Sequence, residues 1–552
     1  MRGLKWSVLV GSTCVMTLVG CGSPEQDSRE LTESPAPNGP SSESPGHCSP
    51  TGEPPTEGCL GDAGTPEDAG TPDDAGIPSD AVLVTNTTRF YTSVGTSERV
   101  EDLSAQPPEL YVPHGSTFSL LLGSAVPGGW RFTGVPSGPY YLRVGTNYIV
   151  SNARHVDVGI NKLGRPDTVY SDFYFTPLQV NLVNTAPWTN GSSPSLPGSS
   201  LQLASAQVDL YGTLNLTDFI PDGETRILTY NAELWAGTGN IPVFEASKGD
   251  RLYVSQHSQY PAGTAPDGTE LGYSALERAV EVGAFDFTPD GATPLPLAGV
   301  MQPAPRTEFP LEWRLPAYTL WTTDAHPLAT PSIPTFSAIP AAHGTNDGWI
   351  GYSGELLTLQ MPRAASYNFT QRLQFGNPFP SNWGVVGMGS YSFRVQQLLP
   401  NGSGRYVNLT GSIATWDEFN SLIASPVQPR VSPPRSLTID GVPASTQREV
   451  GSASPVIAWL PPAQGSVNAY RLALLRYLPE VNSLVTDGAL YVSGSATQVR
   501  LPPGMLKPDS IYYLRLSAFD SAGYDIERDP FHTREALPMA RADAFSSLFT
   551  TP

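Results

Sequence analysis

Cysteine is absent from residues 60–552, so no disulfide can brace whatever folds there, and stability has to come from buried apolar surface. Charge is sparse as well. Charged side chains make up 15% of the 552 residues, with 31 Lys and Arg in all. A surface with no basic cluster and a formal net charge of -20 repels phosphate backbones and anionic lipids, which excludes nucleic acid as an expected partner. Three catalytic signatures are also missing: there is no Gly-x-Ser-x-Gly elbow, no His-Glu-x-x-His zinc pair and no Gly-Lys-Ser/Thr phosphate loop. Their absence weakens an enzymatic reading without closing it.

What is abundant is Gly and Pro, 53 and 56 residues, about a fifth of the chain against a usual share of roughly 12%. That balance favours turns over long helices. A chain of this length supports three or four domains, each with its own core.

The first residues carry Arg2 and Lys5, and Trp6 to Val19 is then free of charge. This is the pattern of a secretory signal peptide, with an apolar core too short to span a bilayer comfortably. It ends in Leu18-Val19-Gly20-Cys21, which resembles the bacterial lipobox. The resemblance implies cleavage of residues 1–20 and lipidation of Cys21, with more than one acyl chain holding the protein at a membrane. The alternative is an ordinary secretory signal that happens to end in Cys. Gly22 and Ser23 lack the Asp that marks inner-membrane retention in this class, so the outer membrane is the expected address, with the leaflet left open.

Residues 21–81 read as a tether. They are rich in Pro, Gly, Ser, Asp and Glu, hold most of the net negative charge against a single Arg29, and have almost no apolar side chains to offset the entropy of folding. A six-residue repeat runs through Gly64-Thr65-Pro66-Glu67-Asp68-Ala69 and Gly70-Thr71-Pro72-Asp73-Asp74-Ala75 to Gly76-Ile77-Pro78-Ser79-Asp80-Ala81. The expectation is a disordered acidic linker that spans roughly 45 Å as a flexible coil. Calcium binding by the Asp pairs is the competing reading, but the spacing is not that of an EF-hand. Cys48 and Cys59 lie in this segment, and in an oxidising compartment two nearby thiols tend to pair. Free thiols or a metal pair with His47 are the alternatives.

From residue 82 onward short alternating apolar runs are broken by Pro and Gly, the pattern of all-β domains in tandem sandwiches. Residues 82–175 contain Trp130-Arg131-Phe132-Thr133-Gly134-Val135-Pro136-Ser137-Gly138-Pro139-Tyr140-Tyr141-Leu142-Arg143-Val144, read as strand, tight turn, strand. This resembles the closing hairpin of transthyretin-like domains, a family that includes the carboxypeptidase regulatory-like domains and usually serves as a spacer. Residues 176–428 are β-rich, as one domain or two, and Thr415-Trp416-Asp417-Glu418 has capping-box spacing for a helix start.

In residues 434–552, Val456-Ile457-Ala458-Trp459-Leu460-Pro461-Pro462 and Tyr470-Arg471-Leu472-Ala473-Leu474 are followed by Leu506-Lys507-Pro508 and Tyr512-Tyr513-Leu514-Arg515-Leu516-Ser517-Ala518. This spacing resembles the fibronectin type III domain. It implies a core tryptophan at Trp459 and a tyrosine corner at Tyr512, with Tyr512, Leu514, Leu516 and Ala518 on the core face. No Arg-Gly-Asp tripeptide is present to bind integrins.

No catalytic, cofactor or metal residue can be assigned from these patterns, and no cofactor is expected. The strongest titratable set is Asp324-Ala325-His326 with His343 and Asp347, which would ligate a metal if a sheet brought the two loops together. Trp188, Trp235, Trp313, Trp321, Trp349 and Trp383 are ordinary core packing unless exposed, in which case they would stack on sugars. The expected function is a non-enzymatic cell-envelope lipoprotein that binds or scaffolds a protein or glycan. A polysaccharide hydrolase with an accessory module, or a structural subunit of an envelope complex, are the alternatives.

Overall fold

A computed structural model describes residues 78–552, apart from 194 and 238. Cys21, Cys48, Cys59, the export signal and nearly all of the tether lie outside the described residues. The all-β expectation is met. Among the described residues α-helix is confined to Leu315–Thr319, Thr322–Ala325 and Phe419–Ile423, and none is long and apolar enough to cross a membrane.

The terminal residues form two layers. One sheet has the order Val442–Pro443, Arg435–Ile439, Val456–Leu460, Gln498–Arg500, and the facing layer runs Ser483–Ser493, Ala469–Leu478, Ile511–Asp520, Met539–Phe545. Alternation places Ile457 and Trp459 inward, and the Trp459 ring meets Tyr470 edge-on at 5.1 Å. The Tyr512 hydroxyl accepts from the Lys507 amide at 3.1 Å and donates to Asp487 at 2.8 Å, which closes the tyrosine corner. Tyr512, Leu514, Leu516 and Ala518 are buried, but so are Tyr513, Ser517 and Phe519. Both faces of this strand are covered, because other parts of the chain pack on the side that an isolated sandwich would leave wet.

Both edges of the same layer are also occupied. Strand Ser483–Ser493 pairs in parallel with Asn147–Ser151 of the N-terminal unit, Tyr491 opposite Ile149. Strand Met539–Phe545 pairs antiparallel with Tyr406–Glu418, Ala542 opposite Ile413. A bare edge exposes a row of unpaired N–H and C=O groups. Here part of each row is paired with a neighbouring unit, at residues 489–491 on one side and 539–542 on the other, and one 22-stranded sheet runs through the body.

The N-terminal unit packs the sheet His155–Asp157, Ala81–Thr85, Gly129–Thr133, Ser124–Val126 against Thr117–Leu121, Glu109–His114, Tyr140–Val144, Asn147–Ser151. Strands Gly129–Thr133 and Tyr140–Val144 do not pair with each other, so the hairpin expected for residues 130–144 is corrected to a crossover between layers. The reason is burial: Phe132 and Tyr140 are both sequestered from water and face one core from opposite sheets.

Residues 176–428 hold two cores. Strands Phe175–Val183, Ser200–Ser205, Leu210–Leu216, Arg226–Ala236 and Leu295–Val300 curl around Leu178, Val180, Leu203, Ile227, Leu234 and Val254. The second core, with Phe309, Trp313, Phe336 and Phe419, lies under the ribbon Arg306–Arg314 with Asn368–Gly376. The two units share the long strand Glu270–Val282, which pairs with Leu252–Thr264 along its length and with Leu357–Gln360 near its start. Thr415 to Glu418 belong to a strand, and the short helix follows at Phe419 with no side-chain cap. The helix start expected there is therefore corrected: laddering to Met388 and Met539 and burial of Trp416 outweigh a weak capping signal.

The junction with Tyr406–Glu418 is also tied by a buried carboxylate. Asp543 accepts from Ser412 N at 2.8 Å, Ser412 Oγ at 3.2 Å and Ser517 Oγ at 2.7 Å. Removing it strands these donors in a dry site. Asp543→Ala is expected to lower stability by about 3 kcal/mol in urea titration of the intact chain. A loss below roughly 1 kcal/mol would show the carboxylate to be dispensable.

Candidate binding surface and polar junction

Burial sorts the six tryptophans. Trp188, Trp313, Trp349 and Trp383 are buried, Trp321 is partly covered, and Trp235 is 48% exposed. Trp235 sits on the outer face of Arg226–Ala236, a strand held between Phe175–Val183 and Leu210–Leu216. Register places Phe175, Trp235 and Thr213 in one row, with Pro177, Glu233 and Asn215 in the next. The Phe175 ring stacks near Trp235 at 5.6 Å and 27°, and Tyr174, 53% exposed, tilts against it at 5.3 Å. The indole N–H donates to Glu233 at 3.0 Å, which fixes the ring's orientation. The result is an aromatic shelf on a rigid sheet beside a carboxylate and an amide, the combination that apolar sugar faces and their hydroxyls require.

The titratable set named from the sequence is not assembled. His326 is buried beside Phe545, its Nδ1 accepting from Leu328 N at 3.0 Å and its Nε2 lying 3.2 Å from Ser547 Oγ. With Nδ1 an acceptor, the proton is on Nε2, which donates to Ser547, and Ser547 Oγ donates in turn to the Ser445 carbonyl at 2.7 Å. The polarity is opposite to that of a serine activated by a histidine base, so this contact is structural. His343 lies elsewhere, against Tyr91 and accepting from Ile350 N at 3.2 Å. Asp324 and Asp347 do not join the two histidines into a metal set. Among the described residues, one group of three His, Cys, Asp or Glu side chains converges, and it is Asp157, Asp529 and His532. Sequence reading could not find it, because Asp157 belongs to the N-terminal unit and the other two to residues 521–538, with no motif spacing between them.

No protein family and no curated protein matches the chain. Among solved structures, the chain is similar to the crystal structure of chicken CNTN1 FN1-FN3 domains, at 12% identity over 65% of this chain and 94% of that one. The TM-score is 0.13, an overlap too small to carry an argument. The topology is therefore what assigns the class. The chain is a β-sandwich protein.

Burial pulls the imidazoles of His257 and His326 down to about 4. Unfolded histidine titrates near 6.5, so between these values the unfolded chain takes protons that the folded one refuses. Stability should fall as pH drops through 6.5, by about 2 kcal/mol per histidine at pH 5. Urea midpoints at pH 7.5 and 5 measure this, and His326→Phe should remove part of the difference. Midpoints unchanged by pH in both proteins would refute it.

Proposed function

We propose that this is a non-enzymatic cell-envelope lipoprotein that holds a fused β-sandwich body off the outer membrane and binds glycan through the shelf at Trp235. Membrane attachment is supported by the order of features in the sequence: Arg2 and Lys5, the apolar Trp6 to Val19, and Leu18-Val19-Gly20-Cys21, followed by an acidic Pro-rich segment. More than one acyl chain at Cys21 gives stable anchoring, where a single chain gives marginal binding.

The observation that carries the binding reading is the exposure of Trp235 while four of the six tryptophans compared above are buried. An indole half open to solvent, flanked by Tyr174 and Phe175, leaves apolar area that a sugar ring can cover, with Glu233 and Asn215 within the same two rows for hydroxyl groups. The Glu233 carboxylate beside the indole disfavours anionic polymers, so the fitting ligand is a neutral polysaccharide.

Cys21→Ser is expected to release a soluble protein that no longer labels with palmitate, and a variant that stays membrane-bound and labelled would refute the anchor. On a glycan array, Trp235→Ala should weaken binding of neutral glycans by about thirtyfold, the cost of losing a central aromatic contact of about 2 kcal/mol. Equal binding by the two proteins would remove the shelf from the account, and turnover of any polysaccharide would refute the non-enzymatic reading.

A further inference from the structure

Residues 521–538, the loop between the last two long strands, reach out of the terminal sandwich and pack on the N-terminal unit. Tyr524, Ile526 and Phe531 enter its core, and the carbonyls of Glu527 and Arg528 accept from Ser151 Oγ at 3.0 Å and Asp157 N at 2.8 Å. At the centre of this contact the carboxylates of Asp157 and Asp529 and the ring of His532 have ligand atoms within 4.8 Å of one another.

The imidazole determines what this group can be. His532 is 4% exposed, and its Nε2 lies 2.6 Å from the Thr87 carbonyl, which only accepts. Nε2 therefore carries the proton, and in the neutral ring Nδ1 is a lone pair. That lone pair faces Asp529 Oδ1 at 3.4 Å, a second acceptor. A cation placed between the ring nitrogen and the partly exposed Asp529 carboxylate would satisfy both acceptors, as would a second ring proton.

Distance separates the two. A charge-assisted N–H to carboxylate bond closes to roughly 2.7–2.9 Å, well short of the 3.4 Å seen. Two donors held at about 2.0–2.1 Å on one tetrahedral ion stand roughly 3.3 Å apart, which the pair matches. Asp157 is also preset: its Oδ1 accepts from Thr87 N at 2.9 Å and Gly159 N at 2.8 Å, which fixes the carboxylate without any other side chain. A metal-ligating histidine characteristically gives its other N–H to a backbone carbonyl, the role Thr87 O fills.

We propose that Asp157, Asp529 and His532 form a divalent-metal site that fastens the N-terminal sandwich to the long loop of the terminal one. One imidazole nitrogen and two carboxylates suit zinc with solvent in the fourth position. Calcium, which takes six to eight oxygens, suits the set poorly. The ion's role is to hold two units together, independent of the glycan reading.

The test uses the intact mature chain, stripped with EDTA and titrated with zinc chloride by calorimetry and thermal melting, beside Asp529→Asn and His532→Gln. Asp529→Asn changes one partly exposed oxygen to an amide and leaves the packing in place, so it keeps the experiment decisive if His532→Gln does not fold. The wild-type chain should bind one more equivalent of zinc than Asp529→Asn, or bind it at least tenfold tighter, and zinc should raise the melting temperature of the wild-type alone. Matching stoichiometry and affinity in the two proteins would overturn the site, as would a preference for calcium chloride. A variant destabilised equally with and without zinc would make the contact structural without an ion and also overturn the site.

Discussion

The body depends on the backbone ladders at the two edges of one sheet. The terminal sandwich is last in the sequence and central in space, because strand Ser483–Ser493 pairs with Asn147–Ser151 on one side and Met539–Phe545 pairs with Tyr406–Glu418 on the other. Each ladder satisfies polar groups that would otherwise face water as an invitation to aggregate. Backbone ladders tie the sandwiches to one another in addition to the side chains packed between them.

Local chemistry is tuned to let the edges meet. A Cβ at Gly488 would stand 2.7 Å from the Thr146 carbonyl, and one at Gly411 the same distance from the Phe545 ring, so glycine is what permits close approach at each junction. Elsewhere the seams carry polar ties. Asp543 serves one, and Arg165 serves another, meeting Asp250 at 2.8 Å and Glu245 at 2.9 Å where the N-terminal unit hands over to the next. With no cysteine in this part of the chain, these contacts do the fastening that disulfides provide in smaller exported domains.

What the sequence made legible was local. Alternation and turn residues announced strands, and the spacing of Trp459, Pro508 and Tyr512 marked a sandwich whose tyrosine corner is formed as expected. Pairing partners were not legible, because ladder hydrogen bonds are made by backbone that every residue shares. That is why Gly129–Thr133 and Tyr140–Val144 read as a hairpin when they belong to opposite layers, and why Thr415 to Glu418 read as a helix start. Burial of Tyr513 was hidden for the same reason, since its cover comes from distant chain. Of the candidate sites, Trp235 was visible as a residue and invisible as a surface, while His532 meets a carbonyl 445 positions away and leaves no motif.

Hydrogen exchange read by mass spectrometry on the intact chain tests the fused body most directly. In an edge strand about half the amides point at solvent and exchange quickly, whereas a strand paired on both sides is protected throughout. Residues 489–491 opposite the N-terminal unit, and residues 539–542, are expected to be protected to the level of the central strand Ala469–Leu478. Rapid exchange of alternate amides in either segment would mean the edge is open, and the units would then be separate sandwiches on a common chain.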